Sequence, residues 1–255
     1  MRTHRVVLLT SESEPGRMAA RYLAARLPAL AVIVEHPMSR SLVLRRRIRR
    51  LGLAHVGGQL AFMLFQRMQQ QTAKRRIAEI ARVAGLDARW PDESEIIRVP
   101  SVNSPECIGQ LRRLQPQAIL VVGTRIIDGE VLREVDAPYI NYHAGITPKY
   151  RGVHGGYWAK SEGDQDNFGV TVHLVDEGID TGGVLYQTRL APTAQDNYST
   201  YPYLQLAAAL PLLERAARDA MAGALRTQKV DLPSRLWSHP TLWHYIKTGW
   251  RSGVW

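Results

Sequence analysis

Ala118-Ile119-Leu120-Val121-Val122 is a run of five apolar residues without a polar interruption, closed by Gly123. A strand wetted on one side alternates polar and apolar residues, whereas one covered on both faces does not. The run therefore reads as a central strand of a parallel sheet. Working outward, Arg5-Val6-Val7-Leu8-Leu9-Thr10 ends at the polar turn Ser11-Glu12-Ser13-Glu14-Pro15-Gly16. Met18, Ala19, Tyr22, Leu23 and Leu27 follow with helical spacing, before a second apolar run, Leu30-Ala31-Val32-Ile33-Val34. Strand, helix, strand at this spacing opens a parallel α/β unit. Ile96 to Val99 is a further short strand, and Pro105 to Leu114 a helix closed by Pro116. Beyond the central run, Tyr139 to His143 is a strand and a short helix falls around Gly156 to Lys160. Gly169 to Val175 and Val184 to Gln187 bracket a Gly/Asp turn as two strands would, and Ser199 to Ala224 is helical. The sequence predicts an α/β fold with a mostly parallel sheet flanked by helices, as one domain over residues 1–190. A basic helical insertion interrupts it at about 38–84, and a helical, Trp-rich C-terminal extension covers 191–255.

A chain of 255 residues with 45% apolar content can bury a substantial core. The single cysteine, Cys107, excludes a disulfide framework and a thiolate zinc cluster, and it reads as a small core or boundary residue. Apolar stretches are broken well short of about 18 residues, so no transmembrane helix is expected. After Arg2, His4 and Arg5 only Val6-Val7-Leu8-Leu9 is apolar, too little for a secretory signal. The expected setting is reduced and cytoplasmic.

The net charge of +10 has a local origin. Between Arg40 and Arg76 stand ten basic residues and no acidic one: Arg40, Arg45, Arg46, Arg47, Arg49, Arg50, Arg67, Lys74, Arg75 and Arg76. The rest of the chain is balanced, so any long-range field comes from this segment. Three readings stay open for it: a solvated helical insertion packed on the core, a site for an anionic partner such as a phosphorylated substrate or nucleotide, or contact with a membrane surface or nucleic acid. No zinc-finger or RNA-recognition signature supports nucleic acid.

Chemistry concentrates in two clusters. In Asn141-Tyr142-His143-Ala144-Gly145-Ile146-Thr147-Pro148-Lys149-Tyr150-Arg151-Gly152, Asn141 and His143 fall on the same face of a strand, at the end where open α/β sheets bind ligands. In Val175-Asp176-Glu177-Gly178-Ile179-Asp180-Thr181-Gly182-Gly183, glycines let the backbone turn tightly around an acid, Asp180. An amide, an imidazole and a carboxylate suit acyl transfer directly to an amine: the acid orients the imidazole and keeps its charged form accessible, while imidazole and amide hold the oxyanion. No serine or cysteine stands there as an activated nucleophile.

Order and content of the two clusters resemble the formyltransferases that use 10-formyltetrahydrofolate, a family acting on glycinamide ribonucleotide, methionyl-tRNA and nucleotide-linked amino-sugars. The resemblance rests on Asn141-Tyr142-His143, Pro148-Lys149-Tyr150-Arg151-Gly152, Gly169-Val170-Thr171-Val172-His173 and the span Asp176 to Gly182, and is clear from about Leu111 to Gln187. It implies a Rossmann-like formyltransferase fold. It implies Asn141, His143 and Asp180 as catalytic residues, with Asp180 raising the pKa of His143. It implies a pteridine pocket between Gly123, Thr124, Arg125, Ile126 and Ile127 on one side and Val175, Asp176, Gly178 and Ile179 on the other. Thr147, Tyr150, Arg151 and His154 are the candidates for acceptor binding, no metal is expected, and His173 reads as a packed strand histidine. Gly155 and Gly156 could form an amide nest for an anion.

The sequence departs from the family where Gly145-Ile146-Thr147-Pro148 replaces a Ser-Leu-Leu-Pro run, and Ser11 to Gly16 lacks the tandem glycine loop of the purine-pathway enzyme. The segment after Gln187 is too short for the barrel of the tRNA enzyme, so nucleic acid is disfavoured as a partner. Its tryptophans read as packing anchors or an oligomer interface rather than as a sugar platform, and a homodimer is one option. The expected activity is formyl transfer from 10-formyltetrahydrofolate to the amine of a small, anionic acceptor, with a nucleotide-linked amino-sugar first. The alternatives are glycinamide ribonucleotide, hydrolysis of the formyl donor, and a non-catalytic basic binding module.

Overall fold

A computed structural model describes residues 5–27, 30–92 and 95–255, without the side chains of Arg40, Leu42, Val43, Arg46, Arg47 and Arg50. Arg2, His4 and those four arginine side chains therefore lie outside the described residues. Seven strands form the main sheet: β1 (Val6–Ser11), β2 (Leu30–Glu35), β3 (Ile96–Val99), β4 (Ala118–Val122), β5 (Tyr139–His143), β7 (Gly169–Leu174) and β8 (Val184–Arg189). They lie in the order β3-β2-β1-β4-β5-β7-β8, parallel through β5 and antiparallel from there on. Two further strands, β6 (Arg151–Gly152) and β9 (Leu236–Trp237), pair with each other in parallel.

The continuous apolar runs are buried on both sides, as their composition requires. Leu8, Val32, Leu120, Ile140 and Val172 face one cluster, closed by α1 (Glu14–Ala24) and α7 (Tyr201–Met221). Leu9, Ile33, Ile119 and Val121 face the other, closed by α4 (Pro105–Leu114) and the short α5 (Gly129–Arg133). Ser13 and Ser104 cap α1 and α4, each accepting a backbone N–H three residues on, with proline in the first turn. Leu206, Leu210 and Leu213 of α7 lie in the same cluster as the central strands, so the layers covering the sheet run past residue 190. Cys107 is wholly buried, and that burial pushes its thiol up to about 12, which leaves it an inert core group.

The basic segment is two consecutive helices, α2 (Arg40–Leu51) and α3 (Leu53–Val83), broken at Gly52. Phe62 of α3 enters a third, aromatic cluster with Tyr157 and Trp158 of α6 (Gly155–Ser161), Trp237, and Tyr245 of α8 (Leu242–Ser252). Farther along α3, Arg76 grips Asp196 through Nε at 2.8 Å and Nη2 at 3.2 Å. Burial alone would raise the Asp196 carboxyl, but Arg76 and the Thr193 amide and hydroxyl outweigh it and hold the group below the usual carboxylate range. Removing Arg76 strands an almost fully buried carboxylate. Because the guanidinium itself is partly open to solvent, the Arg76→Ala loss should fall below the roughly 3–5 kcal/mol of a fully buried pair, at about 2 kcal/mol, read by denaturant titration. A depressed pKa contributes stability that is complete above the unfolded carboxylate value and is lost as pH falls through the folded one. The difference between Arg76→Ala and the parent should therefore shrink below about pH 4.

Candidate active site

Asn141 and His143 stand on one face of β5, and antiparallel pairing sets His173 of β7 directly opposite Asn141. Asn141 Nδ2 lies 3.1 Å from His173 Nε2. The other ring nitrogen of His173 is 2.7 Å from the Leu174 carbonyl, an acceptor that requires the proton on Nδ1. Nε2 is then the acceptor for one Asn141 N–H, and the second N–H of that amide stays available. Asp180 arrives from the loop joining β7 to β8, in a left-handed conformation with φ 51°. Its Oδ2 is 3.3 Å from His143 Nδ1 and accepts the Gly152 N–H at 2.8 Å, while its Oδ1 is 3.5 Å from His173 Nε2. The three residues converge.

They converge on a cavity of about 770 Å³ at the carboxyl ends of β4 and β5, where an open α/β sheet binds its ligands. Gly123, Thr124, Arg125, Ile126 and Ile127 line it, as do Val175, Asp176, Gly178 and Ile179. The first of these stretches is held rigidly from behind. Glu35, buried at the end of β2, accepts the Arg125 N–H at 2.7 Å, and its other oxygen meets the Arg125 guanidinium at 2.5 Å. Asn103 bonds the Ile126 carbonyl at 2.9 Å and accepts the Asp128 N–H at 3.0 Å. On the second stretch, Asp176 Oδ1 accepts from the Gly178 amide and the Thr181 hydroxyl, which shapes the turn leading into Asp180.

The model of the formyl transferase family matches residues 61–204, more than half of the chain. This chain belongs to the formyl transferase family. It is similar to a methionyl-tRNA formyltransferase of Caldanaerobacter subterraneus subsp. tengcongensis, at 35% identity over 125 residues, a stretch covering 49% of this chain and 38% of that relative. The chain thus matches well under two thirds of the length of such curated relatives. Its fold is shared with glycinamide ribonucleotide transformylase 1 of Symbiobacterium toebii, with a TM-score of 0.55 at 18% identity over 88% of this chain and 90% of that one. It is shared too with an N-formyltransferase of Helicobacter canadensis solved with folinic acid and dTDP-3-aminofucose, with a TM-score of 0.56 at 15% identity over 91% and 70%.

Four residues expected to bind the acceptor stand behind the cavity wall. Thr147 is buried, its N–H given to the Thr171 hydroxyl and its carbonyl accepting from Gln187. The Tyr150 ring is buried against Trp237, with its hydroxyl donated to Asp164 at 2.7 Å. Arg151 donates to the Ile179 carbonyl at 3.0 Å and so braces the Asp180 loop. His154 lies 2.9 Å from His239 Nδ1. No amide nest forms at Gly155 and Gly156 either: both are buried, and the Gly156 N–H goes to the Ala144 carbonyl. Among the described residues no group of three His, Cys, Asp or Glu side chains is placed to hold a metal ion.

Other lining residues had no local signal. Leu236, Trp237, Ser238 and His239 reach the cavity because β9 pairs with β6, and two-residue strands leave no readable pattern in a sequence. Leu51 and Gln59 reach it from α2 and α3. Trp237 packs as an anchor, stacked on Trp158 with ring centroids 4.4 Å apart, and also forms cavity wall. Trp243 and Trp250 are exposed instead.

Asp180 acts to raise the His143 pKa, as expected, yet the net shift is downward. Burial dominates and pushes the imidazole below its ordinary value, while Asp180 and the Tyr150 carbonyl only partly offset it. Burial would likewise raise Asp180, but the neighbouring His173 and His143 rings and the Gly152 amide outweigh it and hold that carboxyl at about 2. His143 Nε2 is 2.6 Å from the Tyr150 carbonyl, which requires a proton on Nε2 and leaves the unprotonated Nδ1 of the neutral ring beside the acid.

Proposed function

We propose that this chain transfers a formyl group from 10-formyltetrahydrofolate to a primary amine of a small, anionic acceptor, of which a nucleotide-linked amino-sugar is the first choice. The convergence of Asn141, His143 and Asp180 on one cavity carries this reading, in a chain of the formyl transferase family. Residues 123–127 and 175–179 would hold the pteridine, with the Glu35 and Asn103 contacts fixing the loop that receives it. The cavity falls within the roughly 300–1,000 Å³ usual for small-molecule sites. Arg45 and Arg49 of α2 are exposed on the helix whose Leu51 lines the cavity, and their charge suits acceptor phosphates.

The chemistry needs a donor for the developing oxyanion and a base for the amine proton. The free N–H of Asn141 serves the first need, and such a donor is worth roughly 10²–10³ in rate. His143 serves the second. Its Nε2–H is committed to Tyr150, so the ring acts through Nδ1, accepting the proton from the attacking nitrogen as its bond to the formyl carbon forms. Asp180, ionised throughout the neutral range, stabilises the imidazolium, which then returns the proton to the departing folate nitrogen.

Release of tetrahydrofolate should require an amine. Supplying 10-formyltetrahydrofolate with nucleotide-linked amino-sugars, glycinamide ribonucleotide or methionyl-tRNA, and with no acceptor at all, separates the readings. Fastest release with an amino-sugar is the expected result, and equal release without any amine would establish hydrolysis instead.

A further inference from the structure

Helix α3 is apolar on two opposite faces, and only one of them is covered. Phe62, Ala73 and Ile80 are buried on the inner side. Leu53, Leu60, Leu64 and Met68, spaced by seven, four and four residues, fall on the other side and are exposed, Leu64 at 66% and Met68 at 71%. Spacings of four and seven keep side chains on one stripe of a helix, so these four form a continuous apolar ridge nearly 180° from the packed face. Arg67, Lys74 and Arg75 are exposed on the same helix alongside or just beyond the ridge. None of this material belongs to the cavity.

We propose that this exposed ridge of α3, with the cations around it, docks on an anionic lipid bilayer. Large exposed apolar residues in such a row need a partner, and the charge around them selects which. Between Arg40 and Arg76 no acidic residue is present to offer a complementary face. A second copy meeting this surface about a two-fold axis would set the same cations against themselves. An anionic headgroup layer neutralises them, while the Leu and Met side chains of the ridge enter the acyl boundary, the pattern of helices that lie in a membrane interface. No described helix is long and apolar enough to cross a membrane, so the contact is peripheral. Leu51 and Gln59, on the same two-helix segment, line the cavity, so docking would hold the cavity wall beside the bilayer. The proposal does not rest on the formyl-transfer reading.

The test is sedimentation of the full chain with phosphatidylcholine vesicles, with and without phosphatidylglycerol. Binding should appear with the anionic vesicles and weaken as salt rises. The double variant Leu64→Gln with Met68→Gln should bind at least about tenfold more weakly while keeping the parental circular dichroism and melting curve. Lys74→Gln with Arg75→Gln should lose the preference for anionic over neutral vesicles. Absence of the chain from the vesicle pellet would overturn the proposal. So would a dimer in light scattering that Leu64→Gln with Met68→Gln dissociates, since the ridge would then belong to a second copy. Salt-sensitive RNA binding without vesicle binding would also overturn it.

Discussion

The Asp180→Asn variant is expected to lose about 10²–10⁴ of its turnover while folding normally. The amide keeps the shape of the side chain and can still accept the Gly152 N–H, now 2.8 Å from Oδ2. What disappears is the negative charge 3.3 Å from His143 Nδ1. Burial already pushes that imidazole below its ordinary value, and Asp180 is the main group opposing it. Without the acid, only the Tyr150 carbonyl opposes burial, the ring becomes a weaker base, and its protonated form loses its counter-charge. The pH profile follows with a definite sign. In the proposed mechanism neutral His143 is the working form, so the rate falls as pH drops through its pKa. Asp180 itself, held at about 2, stays ionised over that range and cannot produce the limb. Lowering the imidazole pKa moves the acid limb of kcat in Asp180→Asn to lower pH, with KM for the folate little changed because the cavity walls are intact. Parental turnover, or a limb displaced upward, would remove Asp180 from the mechanism.

How much of this was legible in the sequence depends on the range over which each feature is encoded. The apolar runs Val6–Leu9, Leu30–Val34 and Ala118–Val122 encode burial on both faces locally, and each is a central or near-central strand. The i, i+2 spacing of Asn141 and His143 likewise puts them on one face without reference to any other segment. His173 is different. Its place beside Asn141 depends on the register of two antiparallel strands, which the order of residues in β7 alone does not set. Tyr150 and Arg151 lie off the cavity for a related reason. A Pro-x-Tyr-Arg-Gly loop shows which side chains are polar, but not that Tyr150 turns inward under Trp237 while Arg151 reaches back to Ile179. The net pKa direction of His143 is not legible in the sequence: the carboxylate raises it as the motif implies, but burial, which depends on the whole fold, outweighs that. Trp237 and His239 came to the cavity through β6 and β9, a pairing too short to leave any periodicity.

Adding one methyl group at Gly145 should cost both stability and catalysis. A Cβ there would lie 2.5 Å from the Tyr150 carbonyl oxygen, 2.7 Å from His143 Nε2 and 3.1 Å from the Gly155 Cα. The first two atoms are the partners of the hydrogen bond that orients the imidazole, so the methyl would intrude on that bond at both ends. None of the neighbours can retreat easily. The Tyr150 N–H is tied to the Ile146 carbonyl, its ring is packed against Trp237, and the Gly145 carbonyl accepts the Thr171 hydroxyl at 2.8 Å. Overpacking of this kind costs about 1–3 kcal/mol, and contact with backbone rather than a flexible side-chain end places Gly145→Ala toward the upper part of that range. Turnover should fall by about 10²-fold, because the imidazole proposed as the base loses its alignment when displaced by an ångström. Gly109→Ala is the matched control: it sits inside α4 with nothing within 4 Å of the added Cβ, and alanine is the better helix former, so stability should hold or rise with activity unchanged. Denaturant titration and single-turnover rates on the two variants separate the effects. If Gly145→Ala were less stable yet turned over at the parental rate, the His143–Tyr150 hydrogen bond would be structural only, and His143 would have to act from another orientation of its ring.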